Sequence, residues 1–152
     1  MNTNLRIGDV LKEKEYVTDE QMNQALAYQK EHRDMRVGQI LRELGFVTEE
    51  QVLDALASRL QLRIVDVAQL PVDVKAVAMV SRELAEKNLL LPIRVQEQHM
   101  VLAVNDPLNY FALEEVRQQT GCQLEICLSE EEPLRKAISY YFAEVSARQA
   151  AS

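Results

Sequence analysis

An arginine, a branched aliphatic residue and a glycine occur together twice in the sequence, as Arg6-Ile7-Gly8 and as Arg36-Val37-Gly38. A guanidinium is planar and always charged, so it suits a phosphate or the O6 and N7 edge of guanine. Glycine allows close approach to the backbone, and the first turn of a helix attracts anions. The tripeptides predict two half-sites for a ligand that is itself two-fold. In the competing explanation, the arginines are surface charges and the glycines only allow helices to pack. The residues alone favour this second explanation.

Each tripeptide opens one copy of a 24-residue segment, residues 6–29 and 36–59. The two copies are identical at 11 of 24 positions, and several other pairs are conservative. Chance does not produce this similarity, so the segment is an internal duplication.

Aliphatic residues in each copy recur at intervals of three and four, the spacing of one helical face. The pattern predicts a short helix and a longer one, joined by a bend at Glu15–Val17 or Gly45–Val47. Thr18 and Thr48 precede the longer helices, and a glutamine three residues later completes the pattern of a capping box. The sequence therefore predicts an all-α tandem helical-hairpin repeat of four helices over residues 1–61.

Residues 62–143 have a different pattern, in which β-branched runs alternate with helical periodicity. Such alternation predicts a small α/β sandwich, with a sheet of three or four strands and helices packed on it. The fold class is therefore α+β, and residues 144–152 are expected to be a frayed tail or a linker. The predicted elements are a β-branched run at 63–67, helices from about Pro71 and Ser81, strands at 89–95 and 99–106, a helix at 109–121, a strand at 122–129 and a helix at 130–145.

Charge and composition argue against several classes of protein. A net charge of −7 disfavours binding to a nucleic-acid polymer or to an anionic membrane surface. The sequence has no apolar run of membrane-spanning length and no secretory signal, so a cytoplasmic location without membrane insertion is expected. Cys122 and Cys127 lie five apart in a predicted strand, roughly 17 Å along it, which is too far for a disulfide. No metal-ligand spacing occurs.

Enzymatic chemistry finds no support among the motifs. The four glycines form neither a Walker loop nor a dinucleotide-binding loop. His32, in the spacer between the copies, and His99, at a hairpin edge, are predicted to be solvated surface residues. The acids of 130–132 complement a helix dipole, and the stretch 105–109 is predicted to cap a helix. A binding domain is therefore expected, and no catalytic residue or metal site is assigned.

With these motifs, the chain resembles the N-terminal regulatory domain of type II secretion and type IV pilus assembly ATPases in the version called MshEN, whose members bind cyclic di-GMP. The resemblance covers roughly residues 5–143: the tandem motif, then the stretch "LLLPIRVQEQHMVLAVNDPLN", a helix, Thr-Gly and a strand. It implies ligand-binding positions in both copies. These are Arg6, Ile7, Gly8, Leu11, Val17, Met22, Leu26 and Gln29 in the first copy, and Arg36, Val37, Gly38, Leu41, Val47, Val52, Leu56 and Arg59 in the second.

The sequence departs from the family motif in three places besides a spacer, "KEHRDM", that is one residue longer than is common. Glu15 replaces the bend glycine of copy one, and Lys12 and Arg42 replace aliphatic residues. Arg59 replaces the closing glutamine of copy two. Glu15 is expected to strain the bend or repel a phosphate, whereas Arg59 is expected to act as a donor in place of glutamine. Binding of cyclic di-GMP is expected to be retained, in a weakened form.

The resemblance implies a regulatory module that passes a signal to an attached or partner ATPase motor. Two alternatives stay open on the sequence alone. The domain would dock on the cytoplasmic domain of an inner-membrane secretion protein without binding nucleotide, or it would regulate another effector such as a glycosyltransferase.

Overall fold

The computed structural model describes residues 6–151, which divide after Gln61 into two compact units. The first unit contains both copies of the repeat, and its regular elements are four helices. They are α1 (Ile7–Glu13), α2 (Asp19–Glu31), α3 (Val37–Glu43) and α4 (Glu49–Leu60). Each copy is thus a short helix followed by a longer one, as the spacing of aliphatic residues predicts.

The two longer helices begin with the predicted capping boxes. The Thr18 hydroxyl accepts a hydrogen bond from the backbone N–H of Gln21 at 3.1 Å, and the Gln21 side chain accepts one from the N–H of Thr18 at 3.0 Å. Thr48 and Gln51 repeat both bonds at the same distances. These bonds satisfy N–H groups that have no partner within the helix, so both starts are fixed by local sequence.

The bends of the two copies are Schellman motifs, in which a residue of positive φ follows the short helix. In copy one the Tyr16 N–H donates to the Leu11 carbonyl at 3.0 Å, and in copy two the Phe46 N–H donates to the Leu41 carbonyl at 2.9 Å. Glu15 has φ +59° and Gly45 has φ +77°. Only Gly45 adopts this conformation without a steric cost, so the predicted strain at Glu15 is present in the backbone.

The core of the repeat unit is formed by side chains from both copies. Helix α1 packs on α4 and on α3, and α2 packs on α3, so the short helix of each copy packs on the long helix of the other. Neither copy therefore encloses a core alone. The core consists of Val10, Leu11, Val17, Ala25, Ile40, Leu41, Val47 and Ala55.

The second unit contains helices on a small sheet. Its elements are α5 (Val74–Val77), α6 (Arg82–Asn88), β1 (Leu90–Gln96), β2 (His99–Val104), α7 (Tyr110–Thr120), β3 (Gln123–Leu128) and α8 (Glu131–Ala151). The strand order is β1-β2-β3, antiparallel between β1 and β2 and parallel between β2 and β3. Together with the helical repeat, this sheet confirms the predicted α+β fold class.

A two-residue turn joins β1 to β2, at the predicted position. Glu97 and Gln98 have φ +50° and +66°, the double positive φ of a tight hairpin turn. The β-branched run at 63–67 contributes only an isolated bridge, from Ile64 to Leu128, beside which Val65 donates to the Leu128 carbonyl at 2.8 Å. The sheet therefore has three strands, the lower of the two predicted numbers.

Two predicted boundaries in this unit differ from the structure. Helix α5 is only four residues long and begins after Asp73, whose side chain accepts a hydrogen bond from the Lys75 N–H at 3.0 Å. Helix α8 continues to Ala151, so residues 144–151 are helical where a frayed tail or linker is expected. Phe142 and Val145 are buried within the predicted part of the helix, whereas residues 146–151 are exposed. Within residues 6–151, no helix has both the length and the apolar character needed to cross a membrane.

Candidate ligand site in the repeat unit

The two arginines of the tripeptides stand at the residue that precedes α1 and the residue that precedes α3. Both have an extended backbone, with φ −105° and ψ 140° at Arg6 and φ −82° and ψ 151° at Arg36. Both are exposed. Within the described part of the chain, neither guanidinium caps its own helix. Two cationic side chains therefore stand at equivalent and accessible positions of the repeat.

The two glycines of the tripeptides have different surroundings. A Cβ atom placed on Gly8 would overlap Cε of Met22 and lie 3.2 Å from its Sδ, whereas one placed on Gly38 would lie 3.7 Å from Cγ1 of Ile7, an ordinary contact. A side chain at position 8 would therefore require the end of Met22 to move, whereas one at position 38 would not. This distance also shows that the starts of α1 and α3 are neighbours, so the structure brings the two tripeptides together.

Five of the aliphatic residues that the resemblance assigns to the ligand are buried. Their side chains pack inside the repeat unit. They fill the space beneath the helices that follow the arginines, and their direct contact with a ligand stays a prediction. They are Leu11, Val17, Leu41, Val47 and Leu56.

The remaining aliphatic residues of the predicted site reach the surface. Ile7, Met22, Val37 and Val52 are half-buried and pack against the repeat core with part of each side chain. Leu26 is 43% exposed, although its equivalent in copy two, Leu56, is 2% exposed. The accessible apolar surface is therefore unequal between the copies.

The closing residues of the two copies have different partners. The Gln29 amide donates a hydrogen bond to the Met35 carbonyl at 3.0 Å, which places this side chain beside the residue that precedes Arg36. Arg59, at the equivalent position, forms an ion pair with Glu13, in which Nε lies 3.5 Å from Oε2. Gln29 thus lies close to the second tripeptide, while Arg59 is held by the last residue of α1.

The basic residues that replace family aliphatics form the same ion pair in both copies. Lys12 Nζ lies 3.1 Å from the Asp19 carboxylate, and Arg42 lies 3.7 Å from Glu49. Each pair joins the short helix to the start of the long helix across the bend. The two basic residues that depart from the family motif therefore form equivalent ion pairs in the two copies.

A cluster of Lys14, Tyr16 and Asp54 joins the copies and was not predicted from the sequence. The Tyr16 hydroxyl donates to Asp54 at 2.5 Å, and the Lys14 ammonium lies 3.6 Å from the same carboxylate oxygen. The bond to Asp54 raises the pKa of Tyr16, and the phenol, with help from Lys14, lowers the pKa of Asp54. The positions equivalent to Tyr16 and Asp54 are Phe46 and Gln24, so the sequence does show that the two copies differ here.

The other candidate residues have mainly structural roles. Asn109 caps α7 by accepting a hydrogen bond from the Ala112 N–H at 3.3 Å, which confirms the capping prediction for this stretch. His32 is half-buried, its ring stacks on Tyr28 at 3.9 Å, and its Nδ1 lies 3.0 Å from the Tyr28 carbonyl, so the expectation of a solvated loop residue was wrong. His99 is exposed at the start of β2, as predicted.

An open groove of about 520 Å³ in the second unit was also absent from the sequence predictions. It lies between residues 66–68 and the first half of α8, which are far apart in sequence. Its charged lining residues are Asp66, Glu132 and Lys136, of mixed sign, so it offers no concentration of cationic donors for a phosphate. The groove is therefore a weaker candidate for an anionic ligand than the repeat unit.

Comparison with protein families matches the MshEN domain over residues 59–148. The solved structure of MshE with cyclic di-GMP is 32% identical, with a TM-score of 0.79, and covers 90% of this chain and 99% of that chain. The N-terminal domain of XpsE has a TM-score of 0.73 at 24% identity, covering 88% of this chain and 92% of that chain, a likeness of fold alone. The type IV pilus assembly ATPase PilB of Myxococcus xanthus (strain DK1622) is 30% identical over 80 residues.

These similarities cover different shares of the chain. The match to PilB spans 53% of this chain but only 14% of PilB, so this chain corresponds to a small part of that relative. The family match covers most of the second unit, and the likeness to MshE extends over enough of the chain to include the repeat unit. The resemblance read from the tandem motif is thereby confirmed, and the chain belongs to the MshEN domain family.

Proposed function

We propose that this chain is a regulatory module that binds cyclic di-GMP through its two Arg-x-Gly tripeptides. The observation that carries the proposal is that Ile7 lies next to Gly38, since its Cγ1 would be 3.7 Å from a Cβ at position 38, which makes the two tripeptides neighbours. The likeness to MshE, whose solved structure contains cyclic di-GMP, supports the choice of ligand. The module is proposed to have no catalytic activity of its own and to lie in the cytoplasm.

The chemistry of the ligand matches the accessible residues. Cyclic di-GMP has two guanines and two phosphates related by a two-fold axis, and the repeat presents Arg6 and Arg36 at equivalent positions. Each guanidinium can fork onto the O6 and N7 atoms of guanine or bind a phosphate oxygen. The half-buried side chains of Ile7 and Val37 provide apolar surface for the faces of the bases.

The proposed site divides the predicted residues by role. Polar contacts come from Arg6, Arg36, Gln29 and Arg59, and apolar contacts from Ile7, Val37, Met22, Val52 and Leu26. Gly8 lets Met22 pack, and Gly38 leaves space for the ligand beside the backbone. The buried leucines and valines, Leu11, Val17, Leu41, Val47 and Leu56, hold these residues in place.

Isothermal titration calorimetry with cyclic di-GMP tests the proposal. The double variant Arg6→Ala/Arg36→Ala is expected to lose binding, because it removes both cationic contacts. The matched control is Arg82→Ala/Arg117→Ala, which removes two exposed arginines that pair with helix neighbours in the second unit. Both variants should unfold at the temperature of the wild type. Absence of heat from the wild type at ligand concentrations on the order of 100 μM would exclude a physiologically useful sensor.

The proposed partner of the module is an ATPase motor of the secretion or pilus type, attached or separate, because PilB is such an ATPase. Cyclic di-GMP would regulate that motor only if the module binds the ligand with different affinity in two states of the assembly. The measurement is therefore the ligand affinity with and without the motor, and equal affinities would contradict regulation.

Docking on an inner-membrane secretion protein is a second candidate function, favoured by one observation. Phe111 and Tyr110, at the start of α7, are 89% and 50% exposed, an apolar surface that suits a protein partner. A pull-down with the partner's cytoplasmic domain distinguishes the candidates. Docking predicts that Phe111→Ala reduces retention while Arg6→Ala/Arg36→Ala does not.

A further inference from the structure

The ion pair between Glu13 and Arg59 occupies a residue of the proposed ligand site. Arg59 Nε lies 3.5 Å from Glu13 Oε2, and the side chains are 49% and 54% exposed. A carboxylate and a phosphate are both acceptors for a guanidinium, and they compete when they approach the same N–H group. Glu13 is thus positioned to hold the cation that a ligand phosphate would use.

The equivalent residue of copy one shows what this pairing changes. Gln29 lies beside the second tripeptide, because its amide donates to the carbonyl of Met35, directly before Arg36. Arg59 is instead held at the last residue of α1, whereas Arg6 precedes the first residue of that helix. At 1.5 Å per residue, these two ends of α1 are about 10 Å apart along the helix axis.

We infer that Glu13 is an internal competitor of the ligand, which lowers affinity by holding Arg59 until a phosphate displaces it. This inference rests on the proposed function. An exposed ion pair is weak, because water screens both charges and both side chains lose freedom on pairing. Glu13 therefore tunes the affinity without closing the site.

Calorimetry on two matched variants tests the inference. Glu13→Gln removes the competing charge and is expected to bind cyclic di-GMP about threefold to fivefold more tightly than the wild type, the range that a surface ion pair can oppose. Glu43→Gln makes the same charge change at the equivalent, exposed position of copy two. It is expected to leave the affinity unchanged, which separates the specific effect from a general loss of negative charge.

Repeating the Glu13→Gln substitution in an Arg59→Gln variant tests whether the gain in affinity depends on Arg59. In an Arg59→Gln chain there is no guanidinium for the carboxylate to hold, so adding Glu13→Gln is expected to change nothing. A gain of affinity that persists in this background would overturn the inference, since Glu13 would then act on some other group.

The outcomes distinguish the inference from the proposed function. If the wild type binds and Glu13→Gln binds equally or more weakly, the competitor role is overturned and the ligand proposal stands. If neither the wild type nor any variant binds, both are overturned.

Discussion

Copy one, residues 6–29, and copy two, residues 36–59, share their caps, bends and core positions but differ where each long helix meets the short helix of the other copy. Between α1 and α4 the contacts include the Tyr16–Asp54 hydrogen bond and the Arg59–Glu13 ion pair. Between α2 and α3, the positions equivalent to Tyr16 and Asp54 are Phe46 and Gln24, which cannot form that charged hydrogen bond. The duplication kept what each hairpin needs to fold, and its interfaces diverged.

This difference matters for a two-fold ligand. A two-fold scaffold would offer two identical half-sites, but here one half closes with the neutral Gln29 and the other with the paired Arg59. Leu26 is exposed while Leu56 is buried, so the apolar contacts differ as well. The two halves of the proposed site are therefore expected to contribute unequally to binding.

The largest expected effect tests whether the copies share one core. Leu11→Ala and Leu41→Ala each remove a fully buried leucine and are expected to lower the free energy of unfolding by about 2–5 kcal/mol. Because both side chains belong to the same core, both losses should fall within this range. Urea denaturation measures them, with the exposed Leu26→Ala as control. A much smaller loss for either leucine would contradict a shared core.

A smaller effect is expected at the bends, where the copies differ in backbone strain. Glu15→Gly should raise the free energy of unfolding by about 1 kcal/mol, because glycine adopts positive φ without steric cost. Gly45→Ala, at the equivalent position, should lower it by a similar amount. Thermal and urea unfolding of both variants provide the measurement. A loss of stability in Glu15→Gly would show that its side chain has a contact worth more than the strain.

Alanine substitutions at the two tripeptide glycines distinguish a role in packing from a role in ligand binding. Gly38→Ala has room for its Cβ and replaces a helical glycine, so stability should rise by about 0.5 kcal/mol while cyclic di-GMP binding weakens. Gly8→Ala should show no such gain, because Met22 must move to make room. Urea denaturation and calorimetry on the same samples measure both quantities. Unchanged ligand affinity in Gly38→Ala would remove Gly38 from the site.

The smallest effect concerns the polar cluster that only the α1–α4 interface contains. The pKa of Asp54 is lowered from 3.8, so its contribution is present above that value and is lost as pH falls through the folded pKa. The pKa of Tyr16 is raised from 10.0, so its contribution is present below that value and is lost as pH rises through the folded pKa. Tyr16→Phe, which copies Phe46, should thus be less stable than the wild type between these limits.

Urea denaturation at several pH values checks this prediction. The stability difference between the wild type and Tyr16→Phe should narrow below pH 3.8 and above pH 10.0. Phe46→Tyr is the control, since the equivalent of Asp54 is the neutral Gln24. If the stability difference between the wild type and Tyr16→Phe is the same at every pH, the ionisation of Asp54 and Tyr16 does not affect the stability that their hydrogen bond provides.

Much of the fold was predictable because its signals are local. Thr18 and Gln21 lie within one helical turn, and Gly121 ends α7 as expected because it adopts positive φ after the last turn. The extension of α8 to Ala151 was missed because residues 146–151 are exposed and lack the apolar periodicity by which a helix is predicted. The candidate site follows the same division, since its arginines were found by repetition whereas the burial of Leu56 was not.

The sequence by itself determined the duplication, the four helices of the repeat, their caps and the family, because these depend on residue type and on spacing within one or two turns. Tertiary structure alone decided that α1 packs on α4, that Ile7 lies beside Gly38 and that Glu13 pairs with Arg59. The physical reason is that these contacts join residues about 30 to 46 positions apart. Their geometry depends on how whole helices pack, and no local spacing encodes it.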